Sequence, residues 1–242
     1  MRITLLGHST LLLETSGGNL LTDPFFPQRS VAGTLVDTPA MTPEEAAEAV
    51  DAVLVTHAHP DHCDPGFFRV LPACVPVLVP AGFRWPHGIL RPAGTHELPP
   101  RASRRVAGAC VHAVPARHMG ACCGFVIEAD DRIVYVAGDT YHGRFMEGIA
   151  NRFRLDLAAL PLRTVRVAPV MDPAQLDRAV TDLHPGVVLL LHRGIRMASG
   201  PGGWLGAALN LAGSTAAAVE VLTTGHPGMR VLAPEAGGLI EV

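Results

Sequence analysis

The chain has 242 residues, 48% of them apolar and 17% charged, which is enough for a full hydrophobic core and excludes a disordered tail. Nineteen basic residues, all arginine, against 22 acidic ones leave a formal charge of -3, so nothing suggests a polyanion-binding surface and nucleic acid is not expected as a partner. Five cysteines do not make a disulfide scaffold, and no apolar run reaches the roughly 18 residues a membrane helix needs.

The apolar N-terminal stretch from Met1 to Leu13 is interrupted by His8-Ser9 and reads as strands rather than a leader, so a reducing, cytoplasmic setting is expected. In chain order, β-type runs come first at Arg2–Leu6, Leu11–Thr15 and Leu20–Thr22, with Ser16-Gly17-Gly18-Asn19 as a turn. Thr42-Pro43-Glu44-Glu45 predicts a helix start, with Thr42 as N-cap, Pro43 at N1 and Glu45 closing a capping box. Strands are predicted at Ala52–Val55, Val77–Val79, Val106–Val114, Gly124–Glu128 and Arg132–Ala137. A helix follows over Arg144–Phe153, a strand over Leu155–Leu160, and a helix from a second capping box, Asp172-Pro173-Ala174-Gln175, to about Leu183. Val187–Leu191 reads as a strand, Ser214–Thr223 as a helix, and Val231–Ala233 and Leu239–Val242 as closing strands. Strands that alternate with helices after a β-rich start predict one α/β domain over residues 1–242, with sheets covered by helices.

The chemistry concentrates in Thr56-His57-Ala58-His59-Pro60-Asp61-His62, where a buried strand runs out into a loop. His and Asp are common enough here for H-x-H-x-D-H to arise by chance in roughly one chain in a thousand. Two histidines one residue apart can hold one metal ion, and the Asp-His pair directly after them can hold a second. Imidazole and carboxylate donors suit zinc, iron or manganese.

This segment resembles the signature of the metallo-β-lactamase superfamily, and later segments extend the likeness. His118 ends Val114-Pro115-Ala116-Arg117-His118. Asp139 lies in the strand-end run Val136-Ala137-Gly138-Asp139-Thr140. His192 ends Val188-Leu189-Leu190-Leu191-His192. The opening Leu6-Gly7-His8-Ser9, then Leu20-Leu21-Thr22-Asp23-Pro24, Gly124-Phe125-Val126-Ile127-Glu128, Leu160-Pro161 and Met171-Asp172-Pro173 are most similar to the ascorbate-6-phosphate lactonase-like branch. That branch also holds a phospholipase D acting on N-acyl ethanolamine lipids. The likeness runs from about Arg2 to His192.

The resemblance implies an αββα sandwich of two mixed sheets and two divalent ions per chain, zinc first, with manganese or iron as alternatives. It implies His57, His59 and His118 on one ion, Asp61, His62 and His192 on the other, and Asp139 bridging. The implied activity is metal-dependent hydrolysis by a metal-bound hydroxide, with Asp61 orienting the hydroxide or carrying its proton. His8 and Asp23 are candidate partners behind the ligands.

The chain departs from the branch at Leu162-Arg163 and at Arg193, where the family pattern is uncharged. Its loop Met119–Cys123 lacks the insertion of the lipid-cleaving relatives. Arg163 and Arg193 are therefore candidate substrate-binding residues for an anionic group, with Tyr141 and His142 as candidate pocket lining. The expected substrate is a small anionic ester, lactone or phosphoester. A thioesterase, a phosphodiesterase, a di-iron redox member and a non-catalytic metal-binding member are the alternatives, and a homo-oligomer is left open. Cys63, Cys122 and Cys123 read as small buried hydrophobes. His87, His96, His112, His184 and His226 match no ligand position.

Overall fold

The computed structural model describes residues 1–27, 34–197 and 208–241. Its elements run β1 (Arg2–Gly7), β2 (Thr10–Thr15), β3 (Gly18–Thr22), β4 (Thr34–Val36), α1 (Pro43–Ala49), β5 (Ala52–Leu54), α2 (Pro65–Val70), β6 (Val77–Pro80), β7 (Thr95–Leu98), β8 (Ser103–Val106) and β9 (Ala109–Val114). They continue as β10 (Gly124–Ala129), β11 (Arg132–Val136), α3 (Phe145–Ala150), β12 (Leu157–Pro161), α4 (Pro173–Leu183), β13 (Val187–Leu191), β14 (Ile195–Met197), α5 (Ser214–Gly225), β15 (Arg230–Leu232) and β16 (Leu239–Glu241).

Two seven-stranded mixed sheets result, in the orders β16-β1-β2-β3-β5-β6-β7 and β15-β13-β12-β11-β10-β9-β8, with a β4-β14 pair beside them. The period-2 alternation of side chains explains why they face each other. On β13, Val187, Leu189 and Leu191 join Ile3, Leu11, Leu13, Leu20 and Leu54 of the first sheet in a shared core. Val188 and Leu190, in between, point the other way and pack with Leu176, Ala179, Val180 and Leu183 of α4 and Leu222 of α5. The first sheet repeats the scheme, with Leu21, Val53, Val55, Val77 and Val79 packing against Ala46 and Ala47 of α1 and Phe67 of α2. The layers are helix, sheet, sheet, helix, as expected. The middle strands are buried on both faces, which is why β5, β12 and β13 read as unbroken apolar runs.

The Thr42 capping box forms with both of its hydrogen bonds, Glu45 N–H to Thr42 Oγ1 (3.2 Å) and Thr42 N–H to Glu45 Oε2 (2.8 Å). The second box is only half present. Asp172 accepts from Gln175 N–H at 2.9 Å, but Gln175 Oε1 lies buried without a partner among the described residues.

The expected strand Val106–Val114 is instead a hairpin, β8 turning into β9 at Ala107-Gly108. Both turn residues have positive φ, 45° and 70°, the twist that a two-residue hairpin loop requires. Gly108 also presses on Gly17, where a Cβ would lie 2.5 Å from the Gly17 Cα. The expected helix Arg144–Phe153 shortens to α3, whose N-cap Arg144 offers no side-chain capping bond. The short elements β4, α2, β7 and β14 were not expected from the sequence, and Val242 of the last expected strand lies outside the described residues. Among the described residues no helix is long and apolar enough to cross a membrane.

Candidate metal centre

The expected ligands all follow strand ends: His57, His59, Asp61 and His62 after β5, His118 after β9, Asp139 after β11 and His192 after β13. The structure gathers them at one rim of the sandwich, together with His8 after β1. They form two groups, His57, His59, His118 and Asp139, and His8, Asp61, His62 and His192. Within each group one donor atom per residue lies within 4.8 Å of all the others.

Asp139 stands between the groups. Its Oδ1 is 3.3 Å from His62 Nε2, and its Oδ2 is 3.3 Å from His192 Nε2 and 4.0 Å from His57 Nε2. On the other side, Asp61 Oδ2 lies 3.4 Å from His8 Nε2, 3.6 Å from His192 Nε2 and 3.9 Å from His62 Nε2. His59 Nδ1 and His118 Nε2 face each other at 3.2 Å.

Local backbone contacts hold this arrangement. A turn closed by His62 N–H to His59 O (3.0 Å) folds the motif so that its four donor residues converge. Cys123 N–H donates to Thr56 O, and Tyr141 N–H to Arg117 O, tying the β5, β9 and β11 loops to one another. Arg117 N–H donates to Thr140 Oγ1 at 2.9 Å, which fixes the residues next to His118 and Asp139.

Asp23 supports the centre from below. Its carboxylate accepts from Thr56 N–H (2.7 Å), Thr56 Oγ1–H (2.8 Å) and His62 Nδ1–H (2.9 Å) in a fully buried setting. Because the Thr56 hydroxyl proton is given to Asp23, its oxygen accepts from His57 Nδ1–H at 3.0 Å. The Nε2 lone pairs of His57 and His62 are thereby left facing the cluster, the tautomers that metal ligation needs. Sequence reasoning placed Asp23 behind the ligands but gave Thr56 no role. The cue was its position, directly before His57.

The electrostatics are those of a cation site. Burial, reinforced by the neighbouring His62, pushes His57 far below the usual imidazole range. Burial also opposes protonation of His192, yet Asp139 and Asp61 outweigh it and raise that ring to about 9. For Asp139 burial opposes ionisation, but His192 and His62 hold the carboxyl well below the usual range. Among the described residues, His57 Nε2, His62 Nε2 and Asp139 Oδ1 are buried without an aligned hydrogen bond, although the last two face each other. Six imidazoles and two carboxylates around such orphaned atoms fit divalent ions, which accept lone pairs from both kinds of donor.

Of the four residues expected to bind substrate, Arg163, Arg193 and His142 have their side chains engaged by other groups of the chain. Arg163 donates to Asp172 Oδ2 at 2.6 Å. Arg193 donates to Leu190 O at 3.1 Å and also to Pro234 O. His142 Nε2 sits 2.6 Å from Asp182 Oδ2 on α4, and Tyr141 is half-buried beside it. A concavity of about 320 Å³ beside α3, lined by Arg101, Pro115, Phe145 and Phe153 among others, contains none of the cluster residues. Cys63 and Cys123 are buried as expected, and Cys122 is partly exposed.

Residues 2–192 match the family described as the beta-lactamase superfamily domain. A metal-dependent hydrolase of Pyrobaculum calidifontis is 31% identical over 208 residues, covering 79% of this chain and 84% of its own. Among solved structures, an isothiocyanate hydrolase from Delia radicum gut bacteria superposes with a TM-score of 0.75 at 19% identity, over 100% of this chain and 99% of its own. A di-iron β-hydroxylase of Streptomyces venezuelae superposes at 0.73 and 18% identity, over 100% of this chain and 54% of its own. At these identities the two structures bear on the fold alone.

Proposed function

The chain belongs to the beta-lactamase superfamily, and we propose that it is a metal-dependent hydrolase holding two divalent ions, zinc first, and cleaving a small anionic ester, lactone or phosphoester. One observation carries the dinuclear reading. Two four-residue donor groups share a rim, with Asp139 facing both. In this reading His57, His59 and His118 hold one ion, Asp61, His62 and His192 the other, and Asp139 lies between them. Bound there, the ions supply Lewis acidity, lowering the pKa of a coordinated water and polarising the scissile bond.

The residues of the chain supply orientation. Asp61 is the most open of the central carboxylates, its side chain 25% exposed against 3% for Asp139. Burial opposes its ionisation, but His62, His192 and His8 hold it well below the usual carboxylate range. It is placed to accept a hydrogen bond that orients the attacking water. Asp23 and Thr56 keep His62 and His57 in the tautomers described above.

The anionic preference rests on the cationic centre. Arg163 and Arg193 would contribute to it only by exchanging their present partners, Asp172 and the carbonyls of Leu190 and Pro234. The lactonase-like branch remains our reading of the opening and strand-end motifs. The test is a screen of the metal-loaded protein, before and after chelation, over lactones, thioesters, phosphodiesters and phosphomonoesters. Hydrolysis of one class that chelation abolishes and zinc restores supports the proposal, and hydrolysis indifferent to chelation contradicts it. Arg163→Ala and Arg193→Ala are expected to raise KM for a charged substrate more than for its neutral analogue. An unchanged preference would remove both residues from recognition and leave the hydrolase reading standing.

A further inference from the structure

His8 is one residue whose placement the seven-ligand set does not explain. Its side chain is 1% exposed, and among the described residues neither ring nitrogen has a hydrogen-bond partner, a costly state for a buried imidazole. Nε2 points into the second donor group, 3.4 Å from Asp61 Oδ2, and the ring centroid is 4.3 Å from that of His192. The backbone at His8 has φ 44°, in the left-handed region that only a few per cent of non-glycine residues adopt, Asn, Asp and His more often than the rest.

That conformation is enforced. His192, itself at φ 62°, donates its N–H to His8 O at 3.1 Å and so clamps the end of β13 to the end of β1. Gly194 makes room for the approach, since a Cβ there would lie 3.0 Å from both the N and the Cα of His8. Strain held this way at a cluster of metal-type donors points to a function for the side chain.

We propose that His8 is a direct metal ligand, so that the second ion is held by His8, Asp61, His62 and His192 through Nε2, Oδ2, Nε2 and Nε2. Separations of 3.4 to 3.9 Å between Asp61 Oδ2 and the three imidazole nitrogens start at the edge of about 3.4 Å expected when four ligands surround zinc at 2.0–2.1 Å and exceed it by at most about 0.5 Å. The second site then has four protein donors of its own, with Asp139 still standing between the two groups. This inference rests on the two-ion reading.

The test is titration of the metal-free chain with cobalt(II), read by visible absorption and by stoichiometry, for the wild type and for His8→Asn and His8→Gly. Both replacements suit a left-handed backbone, so the fold is kept, and neither places an imidazole in the site. The expected result is two ions in the wild type. In both variants one ion is retained with unchanged affinity, and the other is weakened by well over 100-fold, beyond the usual range of about 10- to 100-fold for a partner behind the ligands. Its absorption band is altered or lost. Two ions bound by the variants with the wild-type spectrum would overturn the ligand role of His8 and leave the two-ion reading intact. Fewer than two ions on the wild type would overturn both.

Discussion

Replacing Asp23 with Asn isolates the support beneath the metal centre. The carboxylate satisfies three donors at 2.7 to 2.9 Å with no solvent access, whereas an amide keeps one acceptor oxygen and presents an NH2 group to the remaining donors. If the amide oxygen stays with Thr56 N–H, the Oδ2 position loses both the Thr56 hydroxyl and His62 Nδ1–H. Hydrogen bonds to a charged group contribute about 1.5–3 kcal/mol each, and the Thr56 hydroxyl can rotate to another acceptor, so the net loss of stability is expected to be about 2–3 kcal/mol. The effect on metal should be separate. Without its acceptor, His62 is free to carry its proton on Nε2, the nitrogen that faces the cluster. Loss of such a partner typically weakens metal binding 10- to 100-fold, which corresponds to about 1.4–2.8 kcal/mol. Competition against a zinc-chelating dye measures the affinity, and thermal denaturation of the metal-free chain measures the stability. An affinity within threefold of wild type would refute the argument that Asp23 sets the orientation of His62, whatever happens to the melting temperature.

Gly138→Ala should weaken both fold and metal site, because Gly138 has φ 59° and a Cβ would fall 2.5 Å from Thr56 Oγ1; urea denaturation should show a loss of about 2–4 kcal/mol. Gly108→Ala serves as its contrast: it strains the β8-β9 turn against Gly17 and should lower stability while leaving metal affinity unchanged. Thiol labelling of the native chain at pH 8 should modify Cys74 first, since it is exposed, whereas burial raises the thiols of Cys63 and Cys123 far above the usual range; rapid labelling of either would show that the core around β5 and β10 opens readily.

The parts of the site that could be read from the sequence are those whose signal is local. H-x-H-x-D-H places four donor residues within six positions, and His118, Asp139 and His192 each announce themselves at the end of an apolar run. The sandwich was legible for the same reason, because β5, β12 and β13 are unbroken hydrophobic segments between turn residues. The hairpin at Ala107-Gly108 was not, since the usual Asn-Gly or Asp-Gly turn signal is missing and its positive φ values depend on packing against Gly17, far away in sequence. The partners of Arg163 and Arg193 were hidden too. An arginine that donates to the carbonyl of Pro234, 41 residues on, looks from the sequence like an arginine free for a substrate. His8 reads from the sequence as a partner behind the ligands, but its clamp to His192 exists only once β1 and β13 meet at the rim.

The most direct measurement is the metal-to-chain ratio by elemental analysis after reconstitution with zinc and removal of excess metal. Two ions per chain are expected, falling to one in the double variant His57→Ala/His59→Ala, which empties the first donor group and leaves the second intact. A trace of metal in the wild type, or two ions retained by the double variant, would contradict it.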